Sequence, residues 1–200
     1  MFSNSPLKVL FRRSKLIFLV GILVAMVASA LTFLFPLQYR ADAQVLIISK
    51  TRTGVDPYTV VRSAERVGEN VAQVMKTDDF YQKVKSQADN GVDWNYFESD
   101  GERSKRKIWQ STLVPSVVYG TGVLNISTFH SDAQEATKIA SAAANALVTQ
   151  GWEYVGGDVT MKVVNEPVAT KWPVKPNIFL NALLGFIVGV LLMSVLVLRK

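Results

Sequence analysis

Few residue types in this chain could carry out chemistry. The sequence has no cysteine and one histidine, His130, so it lacks a thiolate nucleophile, a disulfide framework and a histidine-rich metal site. His130 precedes a helix start signal, and nothing nearby completes a catalytic triad. Asp78 and Asp79 follow Thr77 at an expected helix start, where carboxylates stabilise the helix dipole. We therefore expect no enzyme activity, no metal and no cofactor.

The densest charge cluster is basic. The sequence RSKRK at residues 103–107 supplies four cations, Arg103, Lys105, Arg106 and Lys107. Such a cluster is suited to contact an anionic glycan or lipid headgroups. Acidic residues precede it and partly neutralise it, so a solvated helix face is the alternative interpretation.

Two apolar runs lie on either side of everything else. Residues 16–35 carry no charge, and residues 178–198 are interrupted only by Asn181 and Ser194. At a rise of about 1.5 Å per residue, each can cross a hydrocarbon layer of roughly 30 Å. The first run is longer than the apolar core of a signal peptide and lacks a good cleavage site. We therefore predict two transmembrane helices.

The charge distribution predicts the orientation of these helices. Residues 1–15 and 199–200 are basic tails, whereas residues 36–177 hold all 16 acidic residues and as many basic ones. Basic flanks stay in the cytoplasm, and long loops are translocated largely regardless of charge. We expect both termini inside and residues 36–177 outside. The basic composition then reflects membrane topology and does not indicate binding to nucleic acid.

The extracytoplasmic segment begins with a predicted strand and helices. Residues 41–49 contain an almost continuous apolar run with β-branched residues, which is typical of a strand. Asp56 followed by Pro57 is a helix start signal. Thr77 predicts the start of a second helix, and Ser99 with Glu102 predicts a capping box for a third.

A hairpin, a long helix and a last strand complete this segment. Residues 113–119 and 123–129 are predicted strands joined by a glycine loop, and Pro115 indicates that the first of them lies at a sheet edge or contains a bulge. Asp132 and Glu135 predict a capping box for a helix over residues 131–155 with an alanine-rich face. Residues 159–167 form the final strand, which we expect beside the first. The fold class is α+β: two transmembrane helices flank one extracytoplasmic α/β domain with a small mixed sheet and a long C-terminal helix.

Small residues repeat along both apolar runs. Close packing through small residues drives much of the association of helices in lipid. We therefore predict that two faces pack within a subunit or around a ring. They are Gly21, Ala25 and Ser29 on the first run, and Ala182, Gly185 and Gly189 on the second.

A proline-rich segment, residues 167–177, leads into the second run. Pro173 and Pro176 are three residues apart, the repeat of a polyproline II helix. Trp172 and the neighbouring lysines are suited to a membrane interface. We expect a stiff membrane-proximal strut that includes Ala169; a plain linker that stops the last strand is the alternative.

These features together resemble the bacterial polysaccharide co-polymerases, also called chain length determinant or Wzz-type proteins. The similarity covers nearly the full chain. It rests on YRADAQVLI as the first strand, on FHSDAQEATKIASAAANAL, and on EPVATKWPVKPNIFLNALLGFIVG before the last helix. In the last segment, Ala169, Pro173, Pro176 and Gly185 follow the order of the family's closing motif.

The resemblance implies a homo-oligomeric ring in the bacterial inner membrane. Such a ring would set the length of an O-antigen, capsule or exopolysaccharide chain, acting on a polymerase and its nascent lipid-linked glycan. The outer domain is shorter than in O-antigen regulators, and no nucleotide-binding glycine loop is present. The chain is therefore most similar to the short adaptor type, whose tyrosine kinase would be a separate cytoplasmic protein.

Two other functions stay open at this stage. The protein could be an adaptor that activates such a kinase without a direct role in chain length. It could also be an extracytoplasmic sensor, although the two residues after the second apolar run cannot form an effector.

Overall fold

The computed structural model describes residues 6–49, 56–87, 91–98, 101–155 and 159–199. It divides into two compact units. Residues 38–173 form an outer unit, and residues 1–37 with 174–200 form an apolar unit.

The apolar unit consists of three helices. They are α1 (Pro6–Arg12), α2 (Ser14–Thr32) and α8 (Ile178–Arg199). Both α2 and α8 are long and apolar enough to cross a membrane. The bounds of α8 agree with the predicted 178–198, but α2 ends before the predicted residue 35.

The early end of α2 has a local cause. Pro36 disfavours helical geometry at Phe35 and cannot donate a backbone hydrogen bond. Residues Phe33, Leu34 and Phe35 instead form tight turns, with N–H groups donating to the carbonyls three residues earlier at 3.2–3.3 Å. The basic N-terminal segment also contains α1, a helix that the sequence reading did not predict.

The outer unit is built on a four-stranded sheet. Its strands are β1 (Tyr39–Ser49), β2 (Leu113–Val117), β3 (Val123–His130) and β4 (Val159–Ala169). Their order is β2-β3-β1-β4, and every neighbouring pair is antiparallel. The expected mixed sheet is therefore wrong. β1 and β2 run in the same direction, but β3 lies between them, so no parallel pair forms.

Two other features of the sheet are confirmed. β1 and β4, the first and last strands, are direct neighbours, with register shifts between Asp42 and Val45. Pro115 lies on β2, which is an edge strand. A proline is tolerated there because its missing N–H interrupts no ladder on the open side.

The helices of the outer unit begin largely where the sequence predicted. They are α3 (Pro57–Val74), α4 (Asp78–Ser86), a short 3₁₀ helix (Trp94–Phe97), α5 (Glu102–Thr112), α6 (Ala133–Gln150) and α7 (Trp152–Val155). Side chains of Asp56, Thr77 and Asp132 accept hydrogen bonds from backbone N–H groups of the first turns. Gly101 precedes α5, and Ser99 lies outside the described residues.

Two details of α6 differ from the prediction. Glu135 accepts from the Asp93 N–H at 3.0 Å and from Lys138 at 2.7 Å instead of closing a capping box. Burial opposes the charged form of Glu135, but these two donors outweigh it and hold its pKa below the ordinary value. The helix also stops at Gln150, and the next residue is glycine at a close approach to β4: a Cβ on Gly151 would lie 2.8 Å from the Met161 sulfur.

The core lies between α6 and one face of the sheet. Alternate residues of β1, from Ala41 to Ile47, are at most 2% exposed. The predicted alanine face of α6 covers them: Ala136, Ala140, Ala143 and Leu147 are fully buried. Thr128 on β3 donates its hydroxyl to the Ala136 carbonyl at 2.7 Å. Alanine allows helix and sheet to approach closely.

A second cluster of buried aromatic rings joins α4, α5 and the 3₁₀ helix. Tyr81, Phe97 and Trp109 pack edge to face with centroids 5.1–5.8 Å apart. The Trp109 indole N–H donates to the Met75 carbonyl at 2.9 Å. This bond satisfies a carbonyl at the end of α3 and holds α5 against it.

The close packing of α6 can be tested by adding volume. Ala140→Leu is expected to lower the free energy of unfolding by about 1–3 kcal/mol, because a fully buried alanine against a sheet leaves no room for a larger side chain. Thermal unfolding of the purified protein, followed by circular dichroism, measures the change. Asn145→Leu, at an exposed position of the same helix, should change the midpoint little; equal effects at both positions would contradict the packing described.

Candidate functional site

The contact between α2 and α8 is made by small residues. A Cβ placed on Gly185 would lie 2.7 Å from the Cβ of Ala28, and one placed on Gly189 would lie 2.9 Å from the Cβ of Val24. A Cβ on Gly21 would lie 2.8 Å from the Phe186 ring. These distances are shorter than real side chains allow, so the backbones approach as closely as glycine permits.

The structure distributes the predicted small residues unevenly over this contact. Ala25 lies against α8, since its Cα would be 3.2 Å from a Cβ on Gly185. Ser29 turns its hydroxyl to the Ala25 carbonyl at 2.9 Å. Ala182 is half-buried one turn before Gly185.

Sequence reasoning missed two contact residues, Val24 and Ala28. Together with Gly21 they follow a spacing of three and four residues, which is the signal of one helix face. The predicted repeat of Gly21, Ala25 and Ser29 follows a strict four-residue spacing, which leaves out Val24 and Ala28.

A polar bond joins the two apolar helices near one end. The Asn181 side chain donates to the Thr32 hydroxyl oxygen at 3.0 Å, and that hydroxyl donates to the Ala28 carbonyl at 2.8 Å. Interhelical bonds of this kind contribute about 0.6–2 kcal/mol in a membrane. Phe18 and Phe186 add an edge-to-face contact with centroids 5.4 Å apart. Asn181, which interrupts the apolar run, thus has a partner.

The basic cluster is divided by α5. Lys105 turns inward: its ammonium lies 4.7 Å from the centre of the Tyr81 ring, 3.9 Å from Asp78 and 3.8 Å from Glu102. Its side chain is 18% exposed. Lys105 therefore has a structural role within the outer unit, and its ammonium partly neutralises the charge of the Asp78 carboxylate.

The other three cations of this cluster are exposed. Arg106 lines a polar cleft between α3, α4 and α5, together with Asp78 at the start of α4. Arg103 and Lys107, on the same helix, are not among the residues that line this cleft. The structure thus separates one cluster of the sequence into three environments.

The acidic pair and the histidine have structural contacts. Asp79 accepts a hydrogen bond from the Tyr154 hydroxyl. The pKa of Tyr154 is raised, mainly because the hydroxyl is partly buried and also because of this bond. His130 is buried, accepts the Asp132 N–H at 3.1 Å and packs on Tyr96. Among the described residues, no three His, Cys, Asp or Glu side chains converge on a metal position.

The proline-rich segment bends and is not one straight polyproline helix. Ala169 ends β4 and pairs with Ala41, and the next N–H, that of Thr170, donates to the Arg40 carbonyl at 2.7 Å. Bends follow at Lys171, Trp172 and Pro176, and the Lys175–Pro176 peptide bond is cis. Pro173 belongs to the outer unit and Pro176 to the apolar unit.

Comparison with known proteins gives one finding. Residues 7–88 match the sequence model of a protein family described as Wzz, chain length determinant protein. The matched region contains nearly all of α1, then α2, β1, α3 and α4. No curated protein matches the sequence significantly.

The pairing of α2 and α8 within one chain can be tested by cross-linking. Thr32→Cys with Asn181→Cys should form an intramolecular disulfide on oxidation, because the two native side chains already touch. A protease site inserted after Tyr119, which is 86% exposed, allows the cross-link to be detected. The two fragments should migrate together until they are reduced.

A matched control uses the neighbouring positions. Phe33→Cys with Leu180→Cys places both thiols on exposed positions, and this pair should not cross-link within a chain. If the first pair instead gives covalent dimers, the contact lies between subunits.

Proposed function

We propose that this chain, whose residues 7–88 match the Wzz chain length determinant family, acts as a two-pass membrane protein that sets the length of one bacterial surface polysaccharide. Regulators of this family are not enzymes; they act in oligomers with polymerase machinery. For this chain, the partners would be further copies of itself, a polymerase and the lipid-linked glycan that the polymerase extends.

The family match over residues 7–88 carries the proposal. The remainder of the chain supports it. The unmatched C-terminal part supplies α6 and β4, which complete the core against β1, and α8, which packs on α2. A regulator in this family needs an outer domain and membrane anchors, and this arrangement provides both from one chain.

Charge supports an orientation with both termini in the cytoplasm. Basic residues precede α2 and follow α8, while the long segment between the helices is formally neutral. Cytoplasmic flanks carry such an excess of lysine and arginine. The outer unit would then face the periplasm or the cell exterior, where surface polysaccharides are assembled.

The proline-rich segment is proposed to stiffen the connection from β4 to α8. Each proline fixes its own φ angle, so Pro173 and Pro176 restrict the chain even though the segment bends. The bonds between Arg40 and Thr170, at 2.7 and 3.1 Å, hold the start of this connection on β1. A firm connection would limit how the outer unit moves while the glycan is extended.

Polysaccharide length in a deletion strain tests the function. Removing the gene should broaden the length distribution and abolish its modal length, and wild-type protein should restore it. Gel electrophoresis of the extracted polysaccharide measures this. An unchanged distribution in the deletion strain contradicts the proposal. Unchanged length with reduced tyrosine phosphorylation of a cytoplasmic kinase would favour the adaptor role.

The same strain tests the proline segment. Pro173→Ala with Pro176→Ala should leave the protein abundant in the membrane and shift the modal length, because only the connection is softened. Val168→Ala is the control, because it changes an exposed residue of β4 (71% exposed) at the start of the segment without touching a proline. It should leave the modal length unchanged. If the double proline variant gives wild-type length, the segment is only a linker.

Impermeant thiol labelling tests the orientation, since the sequence has no cysteine. Tyr119→Cys, on a residue 86% exposed in the outer unit, should react in intact cells or in spheroplasts. Ser5→Cys should react only after the membrane is opened. The reverse pattern would invert the topology and remove the outer unit from the site of polysaccharide assembly.

A further inference from the structure

The outer unit contains a polar cleft of about 560 Å³. It lies where the end of α3, the start of α4 and one side of α5 meet. Six residues line it, all of them polar or charged: Gln73, Lys76, Thr77, Asp78, Arg106 and Gln110. Of the basic cluster noted in the sequence, Arg106 alone is part of this lining.

The walls of the cleft are held together by bonds across it. The Gln110 side chain donates to the Lys76 carbonyl at 3.3 Å, and the neighbouring Trp109 donates to the Met75 carbonyl at 2.9 Å. Trp109 is 1% exposed within the aromatic cluster. α5 therefore cannot shift against the end of α3 without breaking buried contacts, so the backbone positions that carry Lys76 and Arg106 are fixed relative to each other.

The charge inside the cleft is unbalanced. The one carboxylate in its lining, Asp78, is compensated by Lys105, whose ammonium lies 3.9 Å away. Within the part of the chain that the structure describes, neither Lys76 nor Arg106 forms an ion pair. Two cations thus stand without a counter-charge in a concave surface, which favours an anionic ligand.

The remaining groups indicate what kind of anion fits. A guanidinium binds a carboxylate through two parallel hydrogen bonds. Gln73 and Gln110 each offer donors and an acceptor, and Asp78 offers an acceptor for hydroxyl groups. A phosphate would satisfy the two cations but has no ring hydroxyls for the amides and Asp78. An acidic sugar has a carboxylate for the cations and hydroxyls for the amides and Asp78.

We propose that this cleft binds uronate residues of an acidic polysaccharide. The inference rests on the proposed function, because it assigns the glycan a contact on the outer unit and a chemical class. Lys76 and Arg106 hold the carboxylate, while Gln73, Gln110 and Asp78 contact ring hydroxyls.

A second groove lies on α3, the helix that also contributes Gln73 to the cleft. It has a volume of about 320 Å³ and includes Tyr58, Arg62, Arg66 and Asn70, which are four residues apart on one face of the helix. Arg62 is steadied by the Tyr58 hydroxyl at 3.0 Å. From Tyr58 to Gln73 the helix rises roughly 22 Å. Both concavities therefore include residues of the same helix, an arrangement that suits a linear polymer better than a single headgroup.

Calorimetry on the full chain in detergent micelles tests the site, with oligogalacturonate as the probe. Binding should weaken as salt is raised. Lys76→Gln with Arg106→Gln should weaken it at least about tenfold, since the guanidinium contact to carboxylate is removed. Malto-oligosaccharide of equal length and inorganic phosphate should each bind at least about tenfold more weakly than oligogalacturonate to the wild type.

Arg103→Gln with Lys107→Gln is the matched control. It removes the same total charge, two cations of α5 that lie outside the cleft, and should change affinity by less than about twofold. An equal loss in this control means that only diffuse charge attracts the probe and overturns the proposal. Absent binding, equal binding of malto-oligosaccharide or equal binding of phosphate also overturns it, the last in favour of a phosphate or headgroup site.

Two further measurements distinguish loss of the binding site from a folding defect and from failure of the proposed function. If the cleft variant unfolds at a lower temperature, Lys76→Arg with Arg106→Lys must restore binding, or the proposal fails. If the deletion strain keeps its polysaccharide length, the proposed function fails while the calorimetry still decides the cleft. If deletion changes length but the cleft variant neither loses binding nor alters length, the cleft proposal alone is wrong.

Discussion

The outer unit depends on the double pairing of β1. This strand bonds β3 on one side and β4 on the other, and its inward residues lie at the centre of the core. The chain enters the outer unit at β1 and leaves it at β4, so the two connections to the apolar helices are antiparallel neighbours. The two apolar helices that continue from these strands are antiparallel neighbours as well. Each unit thus has its incoming and outgoing segments side by side.

Close approach of backbones is the common packing device of the two units. In the outer unit, alanines of α6 bring the helix onto the sheet, and burial of apolar surface drives the contact. In the apolar unit, glycines bring α2 and α8 together. If these helices lie in a bilayer, packing and the hydrogen bond between Asn181 and Thr32 must supply the association, because lipid is as apolar as the helices. The same geometry thus rests on different physical forces.

The basic residues of the chain have different roles, which depend on the groups around them. Basic residues in the terminal segments are suited to orient the helices in a membrane. Lys105 is bound to Asp78, Glu102 and the Tyr81 ring and belongs to the fold. Arg106, one residue later on the same helix, lines a cleft whose carboxylate, Asp78, is paired with Lys105. Adjacent residues on a helix are turned by about 100°, which suffices to separate a structural cation from one available to a ligand.

Local signals in the sequence determined much of the architecture. The two apolar runs, the caps at Asp56, Thr77 and Asp132, and the edge position of Pro115 follow from hydrophobicity, hydrogen bonding of a side chain to its own backbone, and the missing N–H of proline. Each of these depends on residues close in sequence, so the chain itself suffices to predict them. Only tertiary structure decided that β3 separates β1 from β2, that Glu135 bonds Asp93 instead of its own helix end, and that Lys105 and Arg106 have different partners. Those outcomes depend on groups distant in sequence, whose competition for the same hydrogen bonds and charges is settled when the chain packs.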